Sequence, residues 1–253
     1  MSKSDSKVAS QIRSNLLNFF ERNGGGHFGS CLSSIDILYF IYSRYIYKKK
    51  SASLILSKGH CWAAYFSVLT YFDETLDVID DPILYSMHPD HKSGLVEFTT
   101  GSLGHGISLG VGKAIANKLK TIFVLVGDGE LNEGACWEGF MTASKYELSN
   151  LMIYVDRNNF QQNDLTEKVM PLEDLSKKLS SFGFACVVVD GHSLESLSLG
   201  MEEAKTYRKK PVVFICNTVK GKGIKSMEND NKYHYLDNLC RLDFKRFRGE
   251  LEL

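Results

Sequence analysis

The sequence predicts an α/β fold: a doubly wound, mainly parallel sheet with helices on both faces, in a single domain spanning residues 1–253. Three observations lead there. Short uncharged runs rich in β-branched and aromatic residues recur at 121–126, 151–155, 185–189 and 212–216, as expected of strands buried on both faces. Segments of helical periodicity separate them, the alternation that builds parallel sheets. The runs at 121–126 and 151–155 each end on a turn with a polar side chain, so the intervening crossover brings both turns to one carboxyl edge, where open sheets bind ligands.

In chain order, residues 8–20 place Val8, Ile12, Leu16, Phe19 and Phe20 on one helical face, and Asn23-Gly24-Gly25-Gly26 ends that helix just before His27. A second helix is expected from residue 35 to about 47, capped by Ser33 or Ser34. A short strand at 54–56 leads into Ser57-Lys58-Gly59-His60, which sets His60 at a strand's carboxyl end. His88-Pro89-Asp90-His91 falls in a loop, and no second cluster at ligand spacing accompanies it to make a zinc site.

Gly101-Ser102-Leu103-Gly104-His105-Gly106 opens a helix to about residue 119. It imitates a dinucleotide fingerprint, but VEFTT before it is a poor buried strand and no acidic residue follows at the expected place, so NAD binding is rejected. The strand at 121–126 stops at Gly127-Asp128-Gly129, where two glycines let the backbone turn sharply beside one carboxylate. From about 133 to 147, Cys136, Phe140, Ser144 and Leu148, flanked by Trp137 and Met141, follow helical spacing, so this segment is expected to pack on the sheet. After 151–155 comes Asp156-Arg157-Asn158-Asn159. A carboxylate and an amide at one edge suit a hard cation such as Mg²⁺, with phosphate oxygens in its remaining positions; the plainer reading is two tight turns. Helices at 172–182 and 194–207 complete the alternation, Asp190-Gly191-His192-Ser193 reads as a structural turn and cap, and Thr218 to Gly223 suits an anion cover or an exposed loop.

Lysine plus arginine balance aspartate plus glutamate at 30 each, which removes the electrostatic case for nucleic acid or an anionic membrane. Lys48-Lys49-Lys50 reads as a solvated loop. The six cysteines lack CxxC spacing and fall mostly in predicted helices and strands, as reduced core residues of a cytoplasmic protein do. No segment has the apolar length of a signal peptide or a bilayer span.

Gly-Asp-Gly, a helix, a strand and Asn158-Asn159 together resemble the thiamine diphosphate motif, and NEGACWEG and LSNLMIYVDRN resemble its transketolase version. GGHFGSCLSSIDILYFIY, LSKGH, GSLGHGISLGVGKAIA, VDGHS and TVKGKGIKSMENDNKYHY are similar to transketolase segments in the same order. The resemblance implies the thiamine diphosphate-binding fold, in its diphosphate half. It implies that Asp128, Asn158 and the Phe160 carbonyl hold Mg²⁺ (or Ca²⁺ or Mn²⁺) on the diphosphate. By the same resemblance His60, Gly101, Ser102, Leu103, Gly127 and Gly129 contact the cofactor, and His27, His88 and His234 serve the sugar. Glu133 would lie at a contact between paired sites, and Glu133 and Glu138 also suit a solvated helix face.

The pyrimidine-binding half that transketolases carry has no counterpart here, so the resemblance points to the N-terminal subunit of a split transketolase. Its partner would be a separate C-terminal subunit, in a heterotetramer. The expected reaction passes a two-carbon ketol unit from a ketose or ketose phosphate to an aldose. A thiamine diphosphate subunit for 2-oxo acids, or a binding subunit without catalysis, are the alternatives; the four histidines favour sugars and the intact Asp128 and Asn158 favour catalysis. One departure stands out: Gln161-Gln162-Asn163-Asp164 lacks the glycine of the family's turn, so the neighbouring loop is expected to differ in shape. The tail from about residue 236 reads as a charged surface or interface segment.

Overall fold

The computed structural model describes residues 3–49 and 51–251. Lys48 and Lys49 are exposed, and Lys50 lies outside the described residues. The chain runs α1 (Lys3–Asn23), α2 (Phe28–Ile41), β1 (Ala52–Leu56), α3 (Trp62–Phe72), α4 (His105–Ala116), β2 (Thr121–Gly127), α5 (Gly134–Lys145), β3 (Leu151–Arg157), β4 (Phe160–Gln161), β5 (Asp164–Leu165), α6 (Thr166–Val169), α7 (Leu175–Ser181), β6 (Ala185–Asp190), α8 (Leu194–Ala204), β7 (Val212–Asn217) and α9 (Arg241–Glu250). The main sheet is parallel throughout, in the order β1-β2-β3-β7-β6. β4 and β5 form a separate two-stranded hairpin.

Strand periodicity divides the core into two layers. Ile122, Val124 and Val126 of β2, with Ile153 and Val155 of β3, face a cluster built with Ile107 and Val111 of α4, Phe140 and Ala143 of α5, and Leu179 of α7. The alternate residues Phe123, Leu125, Met152 and Tyr154 face α1, α2, α3 and α8. Residues i and i+2 share a face, so an uncharged run with both registers apolar can only sit between two helical layers. Each large side chain fully withdrawn from water in this way contributes about 1.5–3 kcal/mol. Tyr154 also stacks on Phe214 of β7 at 4.2 Å between ring centroids.

Two expectations need correction. Ser33 and Ser34 do not cap a helix: α2 already begins at Phe28, directly after the glycine turn, and both serines lie fully buried inside it. Their hydroxyls instead donate to Asp156 Oδ2 at 2.6 and 3.1 Å, because a carboxylate in the interior needs donors more than a helix start near solvent does. The tail after residue 236 is also no mere surface segment. Phe244 and Phe247 of α9 are 1% exposed and pack on Phe28 at 6.2 and 5.9 Å. A pair spaced three apart forms one helical face, and the surrounding charges hid it in the sequence.

Below the sheet's carboxyl edge, Asp36 of α2 accepts from Arg13 Nη2 at 2.7 Å and from His192 Nδ1 at 2.7 Å. Val219 N–H donates to His192 Nε2 at 2.8 Å, which leaves the ring neutral with its proton on Nδ1. His192 is therefore a strut between α2 and the loop after β7.

Candidate active site at the carboxyl edge of the sheet

Parallel pairing brings the ends of β1, β2, β3 and β7 to one edge: Gly127 pairs with Asp156, and Arg157 with Asn217. Asp128 lies just past β2 and is 1% exposed. Its Oδ2 accepts from Asn159 N at 2.8 Å and Arg157 Nη1 at 3.1 Å, and its Oδ1 from Gly129 N at 2.8 Å. Burial, then the charge of Asp156, push the Asp128 carboxyl up to about 6 against the pull of Arg157. Asn158 is buried beside it, oriented from both ends: its Nδ2 donates to Asp156 Oδ2 at 3.0 Å and its Oδ1 accepts from Phe160 N at 3.1 Å.

Asp156 itself is fully buried and bound by Lys58, Thr218, Ser33 and Ser34. Burial opposes its charge, but Lys58 and these donors hold the carboxyl below its ordinary value. This ion pair is the floor of the site, joining the ends of β1, β3 and β7.

Four histidines meet above that floor. The His27 ring lies 5.2 Å from His60, 5.5 Å from His234 and 6.5 Å from His88, between centroids. The Gly24–Gly26 turn delivers His27, and its position is fixed from the other side by an antiparallel bridge in which Gly26 N donates to Leu236 O at 2.7 Å and Leu236 N to Gly26 O at 3.0 Å. Burial, reinforced by His88, depresses His27 to about 4; burial and then Lys220 depress His234 to about 4; burial sends His60 well below and His88 below the ordinary value. All four are neutral imidazoles near pH 7, each able to donate and accept. His27 Nδ1 is buried without a hydrogen-bond partner.

The loop at Gly101, Ser102 and Leu103 closes over this group through close backbone approach. A Cβ on Gly59 would come within 2.9 Å of the Thr100 and Gly101 backbone, and one on Gly101 within 3.1 Å of the His88 ring. Ser102 is exposed, and Gly101 and Ser102 border an open cleft of about 700 Å³ with Thr100, His105 and Leu109.

Lys220, in the segment whose sequence suits an anion cover or an exposed loop, is 1% exposed. It donates to Asn231 Oδ1 at 2.6 Å and to His234 Nδ1 at 3.0 Å, and sits 5.1 Å from the Phe160 ring centroid. Accepting at Nδ1 puts the His234 proton on Nε2. Burial, then Lys58, lower Lys220 to about 8, so this cation lacks a full counter-charge and suits an anionic ligand. Its sequence signal was weak because KGKG looks the same in any exposed turn. Gln161-Gln162-Asn163-Asp164 closes as the β4–β5 hairpin without glycine, and Gln161 packs where a Cβ on Gly129 would be 2.5 Å away.

Among the described residues no group of three or more His, Cys, Asp or Glu forms a metal cluster. Asp128 and Asn158 instead bring one buried carboxylate and one buried amide to this edge, and oxygen donors of that kind suit Mg²⁺. The fit rests on Asp128: a deeply buried carboxylate whose ionisation is suppressed gains from a cation placed against it.

The chain matches the family described as transketolase, thiamine diphosphate binding domain, over residues 4–239. It belongs to the transketolase family. It is 34% identical over 240 residues to an apulose-4-phosphate transketolase subunit of Phocaeicola vulgatus, covering 88% of this chain and 85% of that one. It is also 34% identical to the 6-deoxy-6-sulfo-D-fructose transketolase subunit SqwG of a Clostridium species, covering 96% and 94%. Human transketolase is 30% identical over 90% of this chain, which spans 39% of that protein's length. The transketolase structure from Pichia stipitis superposes with a TM-score of 0.85 at 26% identity, across 98% of this chain and 41% of that one. This member of the transketolase family thus aligns with about two fifths of the long proteins and with most of the length of the separate subunits.

The neutral histidines set a pH dependence of stability. Between pH 6.5 and about 4 the unfolded chain binds protons at His27 and His234 that the folded chain refuses, so stability falls as pH drops through that window. Asp128 works oppositely between 3.8 and about 6, softening the slope. We expect the melting temperature of the cofactor-free chain to decline from pH 7 to 5, and His27→Gln to flatten that decline. An equal slope in parent and variant would show that His27 does not carry the effect.

Proposed function

We propose that this chain is the diphosphate-binding subunit of a thiamine diphosphate-dependent transketolase that moves a two-carbon ketol unit from a ketose or ketose phosphate to an aldose. One observation carries the reading: the Asp128–Asn158 pair and four neutral imidazoles converge on one strand edge, metal-and-diphosphate chemistry beside hydroxyl-binding chemistry. Relatives that it matches along most of their length are named as transketolase subunits, which supports a separate chain supplying the rest of the site. A heterotetramer is the arrangement we favour.

Asp128, Asn158 and the Phe160 carbonyl would hold Mg²⁺, with Ca²⁺ or Mn²⁺ as substitutes of like donor preference. Gly127 and Gly129 flank Asp128 in the turn beside the place of the diphosphate, and His60, Gly101, Ser102, Leu103 and Lys220 border it. Thiamine diphosphate supplies the electron sink for breaking and making the carbon–carbon bond. The chain's own residues orient and exchange protons with the sugar: His27 through its unpartnered Nδ1, His88 beside it, and His234 through the Nε2–H that Lys220 enforces. Neutral imidazoles suit this because each can take a proton from one hydroxyl and return it to another near pH 7.

The test is His27→Ala in the enzyme assembled with its partner subunit. Cofactor affinity should stay within about threefold while the transfer rate falls by about 10²–10⁴, the usual worth of a positioned acid–base group. Normal turnover would remove His27 from the site.

A further inference from the structure

Three loops of this site converge on one carboxylate that touches no part of the histidine cluster. Glu130 lies two residues past Asp128, in the 3-10 turn Gly129–Asn132, and is 2% exposed. Its Oε1 accepts from Gly104 N–H at 2.9 Å and from the Ser57 hydroxyl; its Oε2 accepts from Gly127 N–H at 3.1 Å. Ser57 Oγ in turn accepts from Gly106 N–H at 3.1 Å. That approach requires glycine, since a Cβ on Gly106 would stand 2.4 Å from the Ser57 side chain.

Each donor belongs to a different part of the site. Ser57 begins the segment that carries His60, Gly104 ends the Gly101–Leu103 loop, and Gly127 opens the turn that carries Asp128. A buried acceptor with three fixed donors has one low-energy geometry, and backbone N–H groups left facing no acceptor in the interior are costly.

We propose that Glu130 is a positioning residue that sets the mutual register of the His60 segment, the Gly101–Leu103 loop and the Asp128 turn, so that the cofactor's diphosphate meets them preassembled. The proposal rests on the transketolase reading of the site. Glutamine has nearly the shape of glutamate but only one accepting oxygen. The two backbone donors approach opposite oxygens and cannot turn, so an amide must set its own N–H₂ against Gly104 or Gly127.

The experiment titrates thiamine diphosphate, at fixed excess Mg²⁺, into the full chain assembled with its partner, by calorimetry, for the parent, Glu130→Gln, Ser57→Ala and the double variant. We expect each single change to raise the dissociation constant at least tenfold, while kcat at saturating cofactor falls less than threefold. The double variant should be weakened by less than the product of the singles, because both act through one network. Dissociation constants within twofold of the parent, with only a lower melting temperature, would make Glu130 merely structural and overturn the proposal. If Glu130→Gln does not fold, Ser57→Ala decides alone, since it keeps the carboxylate and removes one donor. A parent complex that binds no thiamine diphosphate overturns the underlying reading, whereas parent binding with unaffected variants overturns only the role of Glu130.

Discussion

Asp128→Ala is expected to abolish cofactor retention while the chain stays folded. The carboxylate is the one fully charged donor in the proposed cation set. Losing a residue that only supports a metal ligand costs 10–100-fold in metal affinity, so losing the ligand itself should cost more, at least about 100-fold. Folding should survive for a separate reason. Burial already pushes this carboxyl up to about 6, so its ionised form contributes little to stability at neutral pH, and Arg157 keeps a second partner in Glu167 at 2.5 Å. Cofactor content after dialysis against Mg²⁺, compared with a melting curve of the same sample, separates the two effects. Unchanged affinity would sink the metal assignment.

The largest stability loss is expected at Asp156→Ala. Lys58 and Asp156 are 1% and 0% exposed, and the substitution strands an ammonium in the interior without its carboxylate, beside Ser30 O at 3.2 Å and Ser34 Oγ at 3.0 Å. Removing one member of such a buried pair costs about 3–5 kcal/mol, a large share of the roughly 5–15 kcal/mol that holds a domain folded. Replacing both, as Lys58→Met with Asp156→Leu, should cost less than either single change, because no charge is then left unpaired. Urea unfolding of the three variants measures this, and a single-variant cost under about 1 kcal/mol would show that the pair does not hold the strand ends together. Cofactor affinity should also fall in Asp156→Ala, because Asn158 Nδ2 loses its acceptor and the amide its orientation.

Much of the site could be read from local sequence because its parts are strand ends. Asp128 and Asn158 follow uncharged runs that admit only one placement, buried between two layers, and a parallel crossover then forces both to one edge. His60 was legible by the same logic, at the end of a strand, whereas the role of His27, after a glycine turn, came only from the family resemblance. The strand order was not: β6 lies outside β7, and nothing in residues 185–217 distinguishes an edge strand from its neighbour except the exposure of Val188, which is known only once the sheet exists. Ser33 and Ser34 were misread because a serine before an apolar run has the same appearance whether it caps a helix or serves a carboxylate 122 or more residues away. Phe244 and Phe247 were missed because a spacing of three in a charged segment is too short to register as a face.

The sequence by itself determined the layered α/β architecture and the strand-end residues, because periodicity and glycine-bounded turns are properties of neighbours along the chain, while its motifs carried the resemblance to the transketolase family. Only the tertiary structure decided that the histidines are neutral, that Lys220 is buried at the site, and that Glu130 and Asp156 tie its loops together. Burial and charge pairing depend on groups distant in sequence, and a hydrogen bond from residue 57 to residue 130 has no local signature.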